Sequence, residues 1–211
     1  MNFNDEYYFN VKRKRPEEEY ERASDYFKGD NLMHYATSKS MMKIQQKMTI
    51  RALDLLDLRK DEALILDAGC GPGFAAMLLK EKGFKIVALD IIIEFLHYYE
   101  IKDLNPIASD MNFFPFKSNI FDGIISISAF QWILRNIYDK NMISKVRNLV
   151  KSLYSILKPH SKAVIQFYPK SNAIIDAMGK LISKNTNFDK SYIIDNPKNP
   201  KKRKIYLVLK K

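Results

Sequence analysis

Between positions 38 and 58 the apolar residues Met41, Ile44, Met48, Ala52, Leu55 and Leu56 recur at helical spacing, with Lys43, Lys47 and Arg51 on the other face. That stripe predicts an amphipathic helix. The pattern then changes to short apolar runs separated by helical segments. Residues 63–66 read as a buried strand entering a glycine-rich turn, 74–82 as a helix stopped by Gly83, and 85–89 as a second strand ending in Asp90. A helix over 94–101 leads to a short third strand, Pro106 to Ser109, ending in Asp110. A β-branched fourth strand covers 121–128, and a long amphipathic helix over 141–157 is closed by Lys158-Pro159. A fifth strand over 163–168 and a helix over 173–183 follow. Two final strands, 192–195 and 205–209, form an antiparallel pair. Such alternation implies an α/β fold, a doubly wound and mostly parallel sheet with helices on both faces. Residues 1–34 are polar, with scattered tyrosines. They read as an N-terminal arm, partly disordered, containing one short helix, so that the domain itself runs from 35 to 211.

Composition narrows this only a little. At 211 residues the chain suits one domain, and its 46 % hydrophobic content is ordinary for a globular protein. No stretch reaches the roughly 20 apolar residues of a membrane span, and no signal peptide opens the chain. The single cysteine, Cys70, cannot form an internal disulfide, so a cytoplasmic protein without membrane attachment is expected. The net charge of +11 attracts phosphate backbones, but a merely lysine-rich surface would look the same. Two basic runs stand out, Lys12 to Arg15 and Lys198 to Lys204; solvated tails often look like this.

Candidate chemistry gathers at the turn Asp67-Ala68-Gly69-Cys70-Gly71-Pro72-Gly73, between a strand and a helix. In an open α/β sheet, ligands sit beyond the carboxyl ends of the strands. A dinucleotide fingerprint requires its third glycine one residue later, where Phe74 stands, and Pro72 has no amide proton to offer a pyrophosphate. A phosphate-cradling P-loop would need Gly-Lys-Ser/Thr, which is absent. The ligand class left over carries adenosine and an amino acid but no phosphate, as S-adenosylmethionine does. Asp90 stands where it can accept ribose hydroxyls. Asp110 stands where it can accept from an adenine amino group, with Met111 against the ring. Each aspartate alone could instead be a turn or cap residue.

The fourth strand and its exit, Ser126 through Trp132, lack the Asn/Asp-Pro-Pro-aromatic segment used on exocyclic amines, a cysteine nucleophile, and a Lys/His/Asp set for hydroxyls. An acceptor with a free lone pair, such as guanine N7, fits this lack, and positioning then carries the catalysis. Trp132 or Tyr168 could stack on a flipped-out base or simply pack the end of the sheet. The three histidines show no metal-ligand spacing, so no metal is expected. Phe113, Phe114 and Phe116 read as cover for the sheet edge, unless an exposed patch there invites a partner.

Four segments carry a resemblance to the small-subunit ribosomal-RNA guanine-N7 methyltransferases: Ile44 to Leu53, Leu66 to Gly71, Ile125 to Trp132, and Gln166-Phe167-Tyr168-Pro169-Lys170. The closing Lys204 to Leu209 is also similar. The resemblance implies a seven-stranded class I methyltransferase sheet of Rossmann-like form, with a helical N-terminal extension. It implies S-adenosyl-L-methionine as cofactor and methylation of one guanine of small-subunit rRNA, or of a pre-ribosomal particle, during ribosome maturation. A small zinc-binding activator subunit at the edge strand Pro106 to Ser109 is implied as well. Departures are Lys39-Ser40 for the family's Ser-Arg, Ile92-Ile93 for its Ser-Pro after Asp90-Ile91, and Lys190-Ser191 for a Gly-Gly pair. The missing basic C-terminal extension suits an archaeal-type member. A small-molecule methyltransferase, or an assembly factor acting by binding, are the alternatives. Candidate cofactor-binding residues are Asp67, Gly69, Gly71, Gly73, Asp90, Ile91, Asp110, Met111 and Ser126; Ser128, Gln131 and Trp132 are the candidate catalytic residues, acting by positioning.

Overall fold

The computed structural model describes residues 14–58, 63–98, 104–133, 136, 138–199 and 202–211. Seven strands form one sheet: β1 (Leu64–Ala68), β2 (Lys85–Asp90), β3 (Pro106–Ala108), β4 (Phe121–Ile127), β5 (Leu157–Phe167), β6 (Asp189–Asp195) and β7 (Lys204–Lys210). Their spatial order is β3-β2-β1-β4-β5-β7-β6. The first five run parallel, and β7 lies antiparallel between β5 and β6. The order reverses between β1 and β4, so the crevice beyond their carboxyl ends is where a ligand is expected.

Period-two alternation divides the core into two layers. Leu66, Ile124, Ala163 and Ile165 face one cluster with α7 (Lys140–Ile156) and α8 (Asn172–Asn185). Their neighbours Ile65, Ile125 and Val164 face another with α4 (Lys39–Leu56) and α5 (Phe74–Glu81). Strands covered on both sides have no polar face to show, which is why they read as unbroken apolar runs. The expected helix over 38–58 is α4, started by the Ser38 hydroxyl, which accepts from the Met41 amide at 3.2 Å.

Some boundaries differ from expectation. Lys158-Pro159 does not close a helix at 157; α7 ends at Ile156 and the chain is already extended at Leu157. β5 starts there because its register slips against β4, with Phe121 opposite Leu157 but Gly123 opposite Lys162. Pro159 and His160, the latter at φ 63°, lie within that irregular stretch, where a missing ladder amide costs little. β6 begins three residues earlier than expected, because the charged Asp189 and Lys190 of an edge strand hide its pattern. Of the helix expected over 94–101, α6 (Ile93–Tyr98) is described; residues 99–101 lie outside the described residues.

The arm departs further from expectation. Its described part holds three helices, α1 (Pro16–Glu19), α2 (Ala23–Tyr26) and α3 (Gly29–Thr37), and α3 runs through the boundary expected at residue 35. Phe27 packs edge-on against Tyr35 and Phe95, closing a small third cluster with Leu32, Ala36 and Ile92. The arm thereby lies against the carboxyl edge of the sheet.

Candidate active site

The glycine-rich turn spends its own amides. Gly69 and Cys70 both donate to the Leu89 carbonyl, at 2.8 and 3.0 Å, Gly71 donates to Asp90 Oδ2 at 2.7 Å, and Gly73 donates to the Cys70 carbonyl at 3.0 Å. Residue 72 is proline. A phosphate cradle needs amides pointing at the ligand, and every amide from 69 to 73 is engaged or missing. Gly69 is required sterically as well. At φ +78° its Cβ would stand 2.4 Å from that of Ala129, closer than any real contact, so the β1 and β4 exits can meet only across a glycine.

Beside the turn lies a cavity of about 430 Å³, ample for a nucleoside-sized ligand. Asp67, Gly69, Gly71, Asp90, Ile91, Asp110, Met111, Ser128 and Trp132 all line it. Gly73, Ser126 and Gln131 do not. Gly73 caps α5 at φ +82°, Ser126 is buried in β4 with its hydroxyl unpaired, and Gln131 is buried beneath the exit loop.

The carboxylates differ in state. Asp67 is fully buried, with Oδ2 lacking any partner. Burial, and then the nearby Asp90 charge, push it up to about 7. Asp90 is also raised by burial, against the hydrogen bonds it receives from the amides of Ile92 and Gly71. Oδ2 accepts the Gly71 amide and Oδ1 the Ile92 amide at 2.8 Å, the Ile91 amide also lowers the Asp90 pKa, and the carboxylate still lines the cavity where ribose hydroxyls can reach it. Asp110 accepts both the Asn112 amide and its Nδ2 on Oδ1, leaving Oδ2 unspent on that residue.

At the β4 exit, Ser128 is held left-handed at φ 57°, a conformation that costs a non-glycine residue energy and needs fixing from outside. Gln166 supplies this: its carbonyl accepts the Ser128 amide at 3.0 Å and its Oε1 accepts the Ser128 hydroxyl at 2.8 Å. Gln131 Nε2 closes the loop by donating to the Ser128 carbonyl at 2.8 Å. Trp132 then projects to the cavity, stacked on Tyr26 at 6.3 Å and tilted against Phe27 at 5.8 Å. Tyr168 does not line the cavity; it packs on the α4 side, its hydroxyl 3.5 Å from the Met48 sulfur.

Sequence reasoning missed several cavity residues. Arg22 and Phe27 come from the arm, whose polar composition gave no periodicity to read. Tyr35 lines the cavity with its hydroxyl accepting from Gln45 Nε2 at 3.1 Å, and burial raises its pKa. Asn112 contributes a buried Oδ1 without a partner. Lys145 reaches the cavity from α7. Among the described residues no group of three or more His, Cys, Asp or Glu is placed to hold a metal, and no helix is long and apolar enough to cross a membrane. The Cys70 thiol is raised well above its usual pKa by burial, so it is a protonated wall group rather than a nucleophile.

The matches to known proteins agree with this geometry. Residues 66–165 match a family described as a methyltransferase domain. The 18S rRNA (guanine-N7)-methyltransferase of Saccharomyces cerevisiae is 35 % identical over 189 residues, covering 87 % of this chain and 67 % of the relative. That of Bos taurus is 33 % identical over 190 residues, with the same coverages. The chain belongs to the 18S rRNA (guanine-N7)-methyltransferase family. It spans about two thirds of the length of these family members. Among solved structures, magnesium protoporphyrin IX methyltransferase from Synechocystis, with bound S-adenosylmethionine, superposes with a TM-score of 0.64 at 14 % identity. It matches over 89 % of this chain and 94 % of its own. That likeness shows the class I methyltransferase fold.

S-adenosylmethionine fits the residues present. Its cationic sulfonium and ammonium suit the unpartnered Asp67 oxygen, its ribose the cavity-lining Asp90 carboxylate, and its lack of phosphate the spent amides of the turn.

Proposed function

We propose that the protein transfers a methyl group from S-adenosylmethionine to guanine N7 of small-subunit rRNA. The observation that carries this is the turn with no amide left for a phosphate, set against Asp67, Asp90 and Asp110 in one cavity, in a chain of this family. When bound, the cofactor supplies an electrophilic methyl. The chain supplies position. Guanine N7 keeps its lone pair at neutral pH, so no residue has to remove a proton first. The acceptor end of the cavity, with Ser128, Ala129, Trp132, Ile133, Met142 and Lys145, suits that chemistry. Its apolar members exclude water, and the Gln166–Ser128–Gln131 network fixes the loop from which Trp132 presents its ring. We assign Ser128, Gln131 and Trp132 as positioning residues. Asp67, Asp90, Ile91, Asp110 and Met111 contact the cofactor, while Gly73 and Ser126 shape the wall behind it.

Among the described residues β3 is an edge strand of three residues; Ile93, which opens α6, and Phe113, five residues past β3, are 51 % and 72 % accessible. An open edge beside bare apolar side chains is suited to strand addition. A small zinc-binding activator would pair there, and the zinc would be its own. With one cysteine, held as a free buried thiol, we place the reaction in the cytosol.

Incubation with methyl-labelled cofactor and small-subunit particles, with and without the activator, tests the reading. Label recovered as 7-methylguanosine in the small-subunit rRNA is expected; label on small metabolites alone would overturn it.

A further inference from the structure

The two basic runs, almost two hundred residues apart in the chain, meet at one tyrosine. From the arm, the Arg15 guanidinium lies 4.9 Å from the Tyr168 ring centroid and donates to the Tyr168 carbonyl at 3.1 Å. From the C-terminal hairpin, the Lys204 ammonium lies 5.0 Å from the same centroid. Lys14 and Lys202, next to them in sequence, are exposed, as is Lys170 two residues past the tyrosine. The nearby carboxylates are partly answered already: Asp195 is held by Arg51 at 3.1 Å, Glu18 stands 3.8 Å from Lys170, and the buried Glu17 faces the charges of Arg15 and Lys170. Lys12, Arg13 and Lys201 lie outside the described residues.

Position matters as much as charge. Tyr168 follows the carboxyl end of β5, two residues beyond Gln166, which pairs with Ile127 of β4 and fixes Ser128. Lys204 opens β7, the next strand across. The cations therefore stand one and two strand spacings, roughly 5 and 10 Å, from the β4 exit where the acceptor end of the cavity lies. That is within a nucleotide or two of a base seated in the cavity. A tyrosine already engaged by two cations is poorly placed to read bases, so the surface grips backbone instead.

We infer that Lys14, Arg15, Lys202 and Lys204, gathered about Tyr168, form the anchor for the RNA phosphates flanking the target nucleotide. This rests on the rRNA reading above and adds the place where RNA is held. Binding of a fluorescein-labelled 20-nucleotide single-stranded RNA, followed by anisotropy across a salt series, tests it. The protein with Lys14→Gln, Lys202→Gln and Lys204→Gln is compared with a control losing equal charge at exposed lysines away from Tyr168, Lys85→Gln at the start of β2 with Lys180→Gln and Lys184→Gln on α8. The anchor variant should lose about ten-fold or more in affinity at low salt, and its log–log salt slope should fall by about 2, since each single-strand phosphate contact contributes about 0.7. The control should keep both. A two-site variant, Lys14→Gln with Lys202→Gln, removes only exposed side chains and should give an intermediate slope even if Lys204 supports the fold. Equal losses in anchor and control variants would overturn the inference. So would displacement of the RNA by polyglutamate at matched charge, which would assign the surface to an acidic protein. Methylation of small-subunit particles by the wild-type protein, run alongside, separates the two failures. Retained methylation with an unaffected anchor variant sinks only the anchor, whereas no methylation of rRNA at all sinks the function.

Discussion

Asp67 shows how a side chain can be costly to the empty protein and useful to the loaded one. Its folded pKa of about 7 exceeds the unfolded value of roughly 3.9, so the native state holds the extra proton between those limits. Stability of the ligand-free protein from this group is therefore greatest at low pH and declines as pH rises toward 7. Asp67→Asn should raise the melting temperature of the ligand-free protein at pH 8, measured by calorimetry, while weakening cofactor binding. In the wild type, cofactor affinity should rise with pH up to about 7, with proton release detectable by titration in buffers of different ionisation enthalpy. A flat profile would mean Asp67 does not meet the cofactor's positive charge. Asp90→Ala should cost roughly 1.5–3 kcal/mol of cofactor affinity if two charge-assisted hydrogen bonds go. Gly69→Ala should abolish cofactor binding, and adding Ala129→Gly should restore part of it, because the 2.4 Å clash is with that one methyl group. At this scale much was legible: Asp67, Gly69, Gly71, Asp90, Asp110 and Met111 all line the cavity, because strand ends are easily found in sequence and their side chains have nowhere else to point. Gln166 was legible only as part of a segment resembling the family, since no local pattern shows a glutamine reaching 38 positions back to hold Ser128.

At the scale of elements, the parallel strands and their helices appeared wherever period and punctuation were strong, as at α4 and β4. They blurred where a long-range pairing overrides local preference. β5 begins within what reads as a helix stop because β4 offers Phe121 as a partner for Leu157. The arm was least legible. Its one-turn helices have no period to show, and their order comes from aromatic contacts made across the fold, Phe27 on Phe95 and Tyr26 on Trp132. Removal of residues 1–28 should accordingly leave the sheet folded, because both large core clusters lie outside the arm. It should open the cavity by taking away Arg22 and Phe27, and weaken cofactor binding in the same titration. Loss of the whole cooperative unfolding transition would show instead that the arm is part of the core. The Ser128–Gln166 pair joins two elements, and a double-mutant cycle of Ser128→Ala with Gln166→Ala should give a coupling of about 0.5–3 kcal/mol in stability.

For the whole molecule, the layered arrangement places three kinds of contact on separate parts of one sheet. The carboxyl ends of β1, β2 and β4 line the cavity, the ends of β5 and β7 carry the cations, and β3 is the far edge of the sheet among the described residues. Far from that edge of chemistry, Asp122 accepts the Leu64 amide at 2.9 Å and the Lys158 ammonium at 2.6 Å. Partial burial opposes ionisation there, but those two partners prevail and hold the carboxyl below its usual range. This contribution is present above the unfolded pKa and disappears as pH falls through the folded one. Asp122→Asn should therefore narrow the difference in melting temperature between pH 7 and pH 3. The fold class and the site's location followed from sequence because both depend on the order of elements. The joining of the two chain ends at Tyr168 did not, since nothing local in either basic run points to the other.

The chain has a single tryptophan, and it is the ring at the cavity wall. Its emission should consequently act as an unlabelled optical gauge of that spot, free of background from other indoles. Titrating cofactor or a guanine nucleotide into the native protein would report occupancy directly by quenching or spectral shift, and Trp132→Phe would leave the same titration dark.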